Sequence, residues 1–371
     1  MDSQKMKTMA EDTLSRKDIV LRRLAGNGMA EHFSDPSACA HSLFGIQSQV
    51  QSYANISLFN RVNGLTMEKL SAWYSDRAVF SQWGQRRTLH IYGEEDYPVV
   101  CDLFNSSNYL DKLMEPETRD RLKEIFSKEM QRNGSISRDR IGELVEEHVQ
   151  EDLLRIPYME YAIIGWLSNN GVFAGESGNS TIKEFFRPSS SWSKSEDTRE
   201  RSLEDVLLRY FTSYGPATRQ DFCHFSGLTM GETKRAFDSI KDGLNVDIYK
   251  GREIYSAGPK KTASVRQLTV LGNYDPLLVA YADKEWLCGP EYKSMIWRSK
   301  GIVTGVILNG HDTLGTWKYS TKGNAISVTV EPFSEISKYD CGRIEKRMTQ
   351  IAEFLGKDLA SVCYADMTYP R

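Results

Sequence analysis

Apolar residues near the start of the chain recur every three or four positions, which predicts helices. The first has Ser15 and Asp18 spaced as a capping box. The second starts at Asp35 as N-cap and Pro36 as first helical residue, and is expected to end around Gln47. The four predicted helices span residues 15–27, 35–47, 53–62 and 67–74.

The spacing then changes to the alternation that strands show. Residues 78–83 and 85–92 predict two strands around Gly84. Short helices followed by a two-stranded hairpin are the layout of a winged helix, in which the hairpin is the wing. The layout recurs twice more. Its second copy is predicted from helices within 94–149 and 158–167 and a hairpin over 171–186, and its third from helices over 202–214, 219–225 and 229–240 and a hairpin over 246–256.

The last part of the chain is predicted to be mostly strands. They cover residues 268–271, 302–308, 313–318 and 325–331, followed by a helix over 337–354 and an extended tail near 360–369. The predicted fold class is therefore α+β: tandem winged-helix domains (helix-turn-helix plus β-hairpin wing), then a C-terminal β-barrel-like domain. The expected domains are 1–97, 98–190, 200–260 and 264–371, with a linker over 188–200.

Composition narrows the class of protein. The 371 residues are 40% hydrophobic and 26% charged, which is ordinary for a globular chain. Residues 1–16 are polar, and no apolar run is long enough for a bilayer, so a cytoplasmic protein without a membrane partner is expected. The six cysteines are scattered without CxxC spacing, so neither a zinc site nor a cofactor is predicted. With a formal charge of −3, any nucleic-acid surface must concentrate its Lys and Arg on one face.

Two amides stand two residues apart at the end of an apolar run, at Gln47 and Gln49. On a helix they would point about 200° apart, whereas an extended step would put them on one side. A glutamine has no charge and no acidic proton, but its carbonyl oxygen can orient a water molecule. Taken alone, the pair is more often plain surface, or an adenine reader in a helix-turn-helix.

A short basic strand follows at Arg86-Arg87-Thr88-Leu89-His90. Strand alternation would place Arg86, Thr88 and His90 on one face and the other two on the opposite face. The arginines could hold phosphates. His90 could either contact DNA or be a buried core residue whose hydrogen bonds are satisfied, and the sequence does not decide between these roles.

The motifs of the chain resemble those of the AlkZ-like family of winged-helix alkylpurine DNA glycosylases. Ile46-Gln47-Ser48-Gln49 and Arg87-Thr88-Leu89-His90 resemble the family pattern LQAQ … RGTLH. Further matching blocks follow in the family's order: Ser213-Tyr214-Gly215-Pro216-Ala217-Thr218 with Asp221-Phe222, Tyr274-Asp275-Pro276-Leu277-Leu278, and Gly310 with Gly315-Thr316-Trp317.

The resemblance implies a C-shaped clamp around duplex DNA, with Gln47 and Gln49 as the catalytic pair. It implies a monofunctional glycosylase for cationic purines alkylated at N7 or N3, with bulky adducts and interstrand crosslinks among the candidate substrates. Two departures stand out: Ser48 replaces a residue that is generally apolar in the family, and Val50-Gln51 replace its Asp-Pro. A sister branch has Asp at the second glutamine, so Gln49 places this chain nearer the AlkZ branch.

The expected DNA contacts are wing and recognition-helix positions. Any one of them alone is better explained as an ordinary surface residue. The expectation is that together they form a basic lining of the DNA-binding surface. Asp275 could be a distant carboxylate of the site, but a turn or cap is the simpler role. The expected contacts are Arg86, Arg87, Thr88, His90, Lys183, Arg187, Arg219, Lys250 and Arg252.

Two other functions stay open on the sequence. One is a DNA-binding protein without chemistry, either a transcriptional regulator or a lesion sensor; regulators of this kind usually dimerise over two half-sites. The other is a protein-interaction scaffold, which the nearly neutral charge would suit. The leading prediction is a monomeric enzyme whose partner is double-stranded DNA with alkylated purines.

Overall fold

The computed structural model describes residues 13–105 and 110–365 of the chain. The predicted N-terminal stretch over residues 1–16 is therefore described only from Thr13, and the predicted tail only to Ala365. The chain divides into two compact units. We call the one with residues 36–51 and 70–206 the glutamine unit, and the one with residues 1–35, 52–69 and 207–371 the sheet unit.

The structure is a mixture of helices and strands, as the α+β prediction requires. The helices are α1 Arg16–Leu24, continued by a π-helical turn Ala25–Met29, α2 Pro36–Ser42, α3 Gln51–Phe59, α4 Met67–Ser75, α5 Tyr97–Phe104, α6 Leu110–Leu113, α7 Pro116–Asn133, α8 Arg138–His148, α9 Glu151–Leu154, α10 Met159–Asn169, α11 Glu196–Ser213, α12 Arg219–Ser226, α13 Lys234–Ile240, α14 Pro276–Val279, α15 Lys293–Ile296 and α16 Lys338–Phe354.

The strands fall into three sheets. They are β1 Ile46–Gln47, β2 Val79–Trp83, β3 Leu89–Gly93, β4 Ser135–Ser137, β5 Ala174–Gly175, β6 Glu184–Phe186, β7 Asn245–Tyr249, β8 Arg252–Ser256, β9 Leu268–Leu271, β10 Gly305–Asn309, β11 Asp312–Lys322, β12 Ala325–Pro332 and β13 Asp358–Tyr364. None of the helices in the described ranges combines the length and the apolar character that crossing a bilayer requires.

Side-chain caps begin several helices where the sequence predicts them. Ser15 and Asp18 form a complete capping box at α1, because each side chain accepts from the other's backbone N–H. Thr218 and Asp221 form a second box at α12. The Ser337 hydroxyl accepts from the backbone of the first turn of α16. These helix N-termini depend on hydrogen bonds between residues three positions apart, which is why a sequence pattern can indicate them.

The glutamine unit is built on one antiparallel sheet with the order β1-β3-β2-β5-β6-β4. The predicted hairpins over 78–92 and 171–186 therefore share a single sheet, joined where Ser81 pairs with Gly175. Strand β4, which pairs with β6 at the edge of this sheet, interrupts a stretch predicted to be all helix. The core beneath comprises Leu122, Phe126, Met130, Ile141, Leu144, Ile163, Ile164, Leu167, Phe173 and Phe185 among others.

The sheet unit contains a two-stranded hairpin and a five-stranded sheet. The hairpin, β7 with β8, turns at Lys250-Gly251 as predicted. The larger sheet has the order β13-β12-β11-β10-β9, with β13 parallel to β12 and the other pairs antiparallel. The order is open: within the described residues β9 and β13 are its two edges, and no closed barrel forms. Trp317 is buried in its core, together with Val270, Ile307, Val330, Ile344, Met348 and Ile351.

Two further sequence predictions of local structure need correction, both at element boundaries. Helix α2 ends at Ser42, not around Gln47, because Phe44 and Gly45 adopt left-handed backbones with φ of 48° and 94°. The linker predicted over 188–200 is shorter than expected, because α11 already begins at Glu196. Within it, the Trp192 indole N–H donates to the buried Asp102 carboxylate at 2.6 Å.

A fully buried ion pair lies in the sheet unit. Arg61 meets both carboxylate oxygens of Asp275 at 2.7 and 2.8 Å, and both side chains are 0% exposed. Arg61 also donates to Asn27 and to the Ser57 carbonyl. Asp275 accepts from the Leu277 backbone as the N-cap of α14, which confirms the cap interpretation. The pair thus joins segments that are far apart in the sequence.

We expect Asp275→Asn to destabilise the protein by about 3–5 kcal/mol, because it leaves the Arg61 charge buried without its counter-charge. The matched control is Asp238→Asn, which breaks an exposed ion pair with Lys234 and should change stability little. Urea unfolding of the two variants checks this. Equal losses in both would contradict the role of the buried pair.

Candidate active site

The backbone around the two glutamines is set by a left-handed reversal. After α2, Phe44 and Gly45 have φ of 48° and 94°, values that turn the chain out of the helix. A side chain at position 45 would place its Cβ 2.7 Å from Cε1 of Tyr92, so only glycine fits beside that ring. The chain therefore leaves the reversal in an extended form, as β1.

Strand β1 pairs with β3, with Gln47 opposite His90. The Ser48 N–H donates to the Leu89 carbonyl at 2.8 Å, which extends the pairing by one residue. Gln47 and Gln49 therefore lie on the same side of an extended chain. Their side chains meet, since Nε2 of Gln47 donates to Oε1 of Gln49 at 2.9 Å.

Ser48, between the two glutamines, is buried at 1% exposure. Its hydroxyl has no hydrogen-bond partner among the residues that the structure describes. A buried hydroxyl without a partner costs about 1–3 kcal/mol. An apolar residue at this position would avoid that cost, which gives a physical reason for the apolar residue of the family pattern.

The turn between β2 and β3 is anchored by a buried side chain, Gln85. Its Nε2 donates to the Phe44 carbonyl, and its Oε1 accepts from the Tyr92 hydroxyl. Gly84 makes room for this contact, because a Cβ there would lie 1.7 Å from the Tyr92 oxygen. Sequence reasoning missed Gln85 and Tyr92; the only signal was a glycine followed by a polar residue at a predicted hairpin turn.

Arg86 determines which way the two amides point. Its NH2 donates to Oε1 of Gln47 at 3.2 Å. A guanidinium has donors only, so the Gln47 atom that faces it must be the oxygen. The Gln47 nitrogen is then left to face Gln49, which must present its own oxygen. One arginine thereby fixes the orientation of both amides.

The alternation predicted for Arg86 to His90 does not hold at the arginines. Arg86 and Arg87 form a turn with φ of 52° and 59°, so they are not part of a strand. Arg87 is exposed, and Thr88 is half-buried with its hydroxyl donating to the Gln85 carbonyl at 2.9 Å. Arg86 lies at the amide pair and Arg87 in solvent.

His90 is a core residue, which decides between its two interpretations. It is 2% exposed, and Nδ1 lies 2.9 Å from the Thr88 carbonyl. Burial, with a smaller contribution from the nearby Arg86 charge, lowers the pKa of His90 to about 3. The ring is therefore neutral at physiological pH and is not exposed for a DNA contact.

The remaining candidates of the glutamine unit lie on either side of β6. Lys183 precedes the strand and Arg187 follows it, and both are exposed. Their backbones are fixed, because the Lys183 carbonyl accepts from Arg138 and the Arg187 N–H donates to Gly134. The structure does not bring either side chain to the amide pair through a hydrogen bond.

Three candidates belong to the sheet unit. Arg219 is half-buried at the start of α12, with its guanidinium 5.5 Å from the ring centroid of Phe237. Lys250 forms an exposed ion pair with Glu285 at 2.5 Å, and Arg252 is exposed. Lys250 must therefore break a surface ion pair to reach a phosphate, at a cost that is small for exposed pairs.

The described residues do not provide a cluster of metal-binding side chains. No three His, Cys, Asp or Glu side chains come together there as a metal site would require. The candidate site consists instead of two uncharged amides, one guanidinium and a buried neutral imidazole.

Comparison with known proteins gives consistent matches. The family model described as DNA glycosylase AlkZ-like matches residues 40–354. An interstrand DNA cross-link repair glycosylase of Streptomyces sahachiroi is 24% identical over 341 residues, which cover 85% of this chain and 89% of that protein. The solved structure of Streptomyces sahachiroi DNA glycosylase AlkZ has a TM-score of 0.79 at 20% identity, covering 95% of this chain and 100% of that one. The structural likeness shows a common fold.

We expect the free energy of unfolding to fall as the pH drops below about 6.5. The unfolded chain then takes up a proton on His90 that the folded chain, with a pKa of about 3, does not. One such group contributes a slope of at most about 1.4 kcal/mol per pH unit between these two values. Denaturant unfolding at several pH values should show a flatter profile for His90→Gln, and a profile parallel to the wild type would contradict the assignment.

Proposed function

The chain belongs to the AlkZ-like DNA glycosylase family, and from this premise we propose that it is a monofunctional glycosylase for cationic purines alkylated at N7 or N3. The observation that carries the proposal is the amide pair. Nε2 of Gln47 lies 2.9 Å from Oε1 of Gln49, Arg86 orients both groups, and Gln49 is exposed. Gln47 itself is buried at 8% exposure, so a substrate can reach the preorganised pair from the Gln49 side.

The chemistry follows from what an amide can supply. In hydrolysis the C1′–N9 bond breaks, a water oxygen bonds to C1′, and the water proton passes to solvent. An amide carbonyl can accept a hydrogen bond from that water and can favour the positive charge that develops on the sugar. It cannot protonate a leaving base. A purine that already carries a positive charge leaves as a neutral base, so no acid is needed.

Each carboxamide oxygen retains the capacity for a second hydrogen bond. Oε1 of Gln47 accepts from Arg86, and Oε1 of Gln49 accepts from Gln47. A carbonyl oxygen has two lone pairs, so each can still accept from one water proton. We assign Arg86 as a positioning residue, because it acts on the reaction through the glutamines.

Bulky adducts and interstrand crosslinks are the finer substrate proposal. One relative is named as an interstrand DNA cross-link repair glycosylase. The exposure of Gln49 supports the same proposal for this chain, since one amide of the pair can be reached from solvent without the damaged base entering a closed pocket. A crosslinked base cannot be flipped freely, so an accessible site suits it.

The proposed complex is a monomer on double-stranded DNA. We interpret the helices before the β2–β3, β5–β6 and β7–β8 hairpins as tandem winged helices, and the five-stranded sheet as the counterpart of the predicted barrel-like domain. Apart from Arg86, which acts through the glutamines, the exposed or half-buried cations of these hairpins and helices are the proposed phosphate contacts: Arg87, Lys183, Arg187, Arg219, Lys250 and Arg252.

We expect Gln47→Ala and Gln49→Ala each to lower the single-turnover rate of base release on the order of 10²-fold, because each removes a preorganised dipole. The assay is release of N7-methylguanine from duplex DNA. Gln51→Met is the matched control from the same stretch, since that side chain is buried and donates to the Tyr74 hydroxyl at 3.1 Å. Its rate per folded molecule should match the wild type.

One result would contradict the amide mechanism, and another would contradict the enzyme itself. Release unchanged in both alanine variants would remove the amide pair from the mechanism. Salt-dependent duplex binding by the wild type, without release of any base from methylated or crosslinked DNA, would favour the non-catalytic DNA-binding alternative.

We expect Arg86→Met and Arg87→Met to separate rate from affinity. Arg86→Met should lower the rate at saturating DNA by about tenfold, since the amides lose the donor that orients them, and Arg86→Lys should restore part of it. Arg87→Met should act mainly on Kd and should reduce the slope of log Kd against log salt by about 0.9. Single-turnover kinetics over a range of protein concentrations measure both. A purely affinity-based loss in Arg86→Met would contradict its positioning role.

A further inference from the structure

Basic residues occupy an unusual place in three turns of this chain. Among the described residues there are four places where two consecutive residues have positive φ. In three of them the first residue is Arg or Lys. The three are Arg86-Arg87, Lys250-Gly251 and Lys300-Gly301, with first-position φ of 52°, 50° and 60°. Two positive φ values in a row describe the type I′ turn, which favours Asn, Asp or Gly at its first position. A lysine there is conformationally unfavourable and needs a compensating interaction.

Two of the three cations have such an interaction within the protein. Arg86 donates to Gln47, and Lys250 pairs with Glu285 at 2.5 Å. Lys300 is exposed, and its side chain contacts no hydrogen-bonding or ionic partner within residues 13–105 and 110–365. The strain at Lys300 is therefore not offset by a contact in the described chain.

The base of the Lys300 turn is held by hydrogen bonds. It is closed by a bridge between Trp297 and Val303 and by the Arg298 N–H, which donates to the Ile302 carbonyl at 2.8 Å. The Trp297 indole N–H is anchored on the Leu278 carbonyl at 2.8 Å. By contrast, residues 298–301 at its tip are exposed. A fixed base and an exposed tip hold the charge outward.

Residues 298–301 include two basic side chains and no acidic one. Arg298, two residues before Lys300, is exposed as well. The pKa of Glu331 is lowered mainly by its hydrogen bond from Lys318 at 2.8 Å, and the Arg298 charge adds a smaller effect. Two cations thus share one tip, and the nearby carboxylate is already engaged.

We propose that Arg298 and Lys300 form a phosphate-contact site through which the sheet unit binds the backbone of duplex DNA. The site rests on the proposed function and extends it to a turn outside the predicted hairpins. A guanidinium and an ammonium on one exposed turn suit two neighbouring phosphate oxygens, because both groups are charged donors. Contacts of this kind position the protein on DNA without reading its sequence.

The test is Lys300→Asn in the full chain, with a fluorescent duplex and salt from roughly 50 to 200 mM. Asn suits the left-handed turn, so the thermal midpoint should stay equal or rise by about 1–3 °C. Kd should nevertheless increase about three- to tenfold at the lowest salt, and the slope of log Kd against log salt should fall by about 0.9. A gain in stability together with a loss of binding is what a strained functional lysine predicts.

Two controls separate the possible results. Lys300→Arg keeps the charge and should bind as the wild type does. Lys346→Gln removes one exposed charge from α16 and should leave the salt slope unchanged. If wild type binds duplex and releases base while Lys300→Asn keeps the wild-type slope, the Lys300 site is wrong and the enzyme proposal stands. If wild type shows no salt-dependent binding, both proposals fail.

Discussion

The candidate site depends on one backbone constraint, the left-handed reversal at Phe44 and Gly45. It stops helix α2 and sends the chain into an extended step, without which the two glutamine side chains would diverge. The reversal is held by the β2–β3 hairpin, because Gln85 binds the Phe44 carbonyl and Tyr92 fills the space that Gly45 leaves. The same hairpin carries Arg86, so a single packing arrangement creates the pair and orients it.

The electrostatics of the site fit a reaction in which the enzyme supplies no proton. Both reactive groups are neutral amides, and the imidazole opposite Gln47 is buried and uncharged at physiological pH. The charge that is present, on Arg86, is directed at an amide oxygen. Such a site offers dipoles and geometry, and in the proposed reaction the positive charge of the damaged base would supply the remaining driving force.

Much of the local structure could be predicted because it depends on short-range chemistry. The cap at Ser15 and the turn at Lys250 are hydrogen-bonding and backbone preferences within a few residues, and both were predicted correctly. The end of α2 was missed because a left-handed Phe44 is stabilised by Gln85, which lies 41 residues away. The residues around the amide pair were only partly predicted. Arg86 was expected near the site from strand alternation, but it lies in a turn and not in a strand. Long-range packing decided each of these cases.

The buried contact of Arg61 with Asp275 has a consequence for synthesis on the ribosome. The two residues are 214 positions apart, so the guanidinium leaves the exit tunnel long before its carboxylate exists. Until then the arginine has to remain in water or be shielded by a chaperone, since burying it alone is unfavourable. The sheet unit therefore completes its interior only late in translation, whereas the segments of the glutamine unit, residues 36–51 and 70–206, are all available earlier. Vectorial folding of this chain should start from its middle.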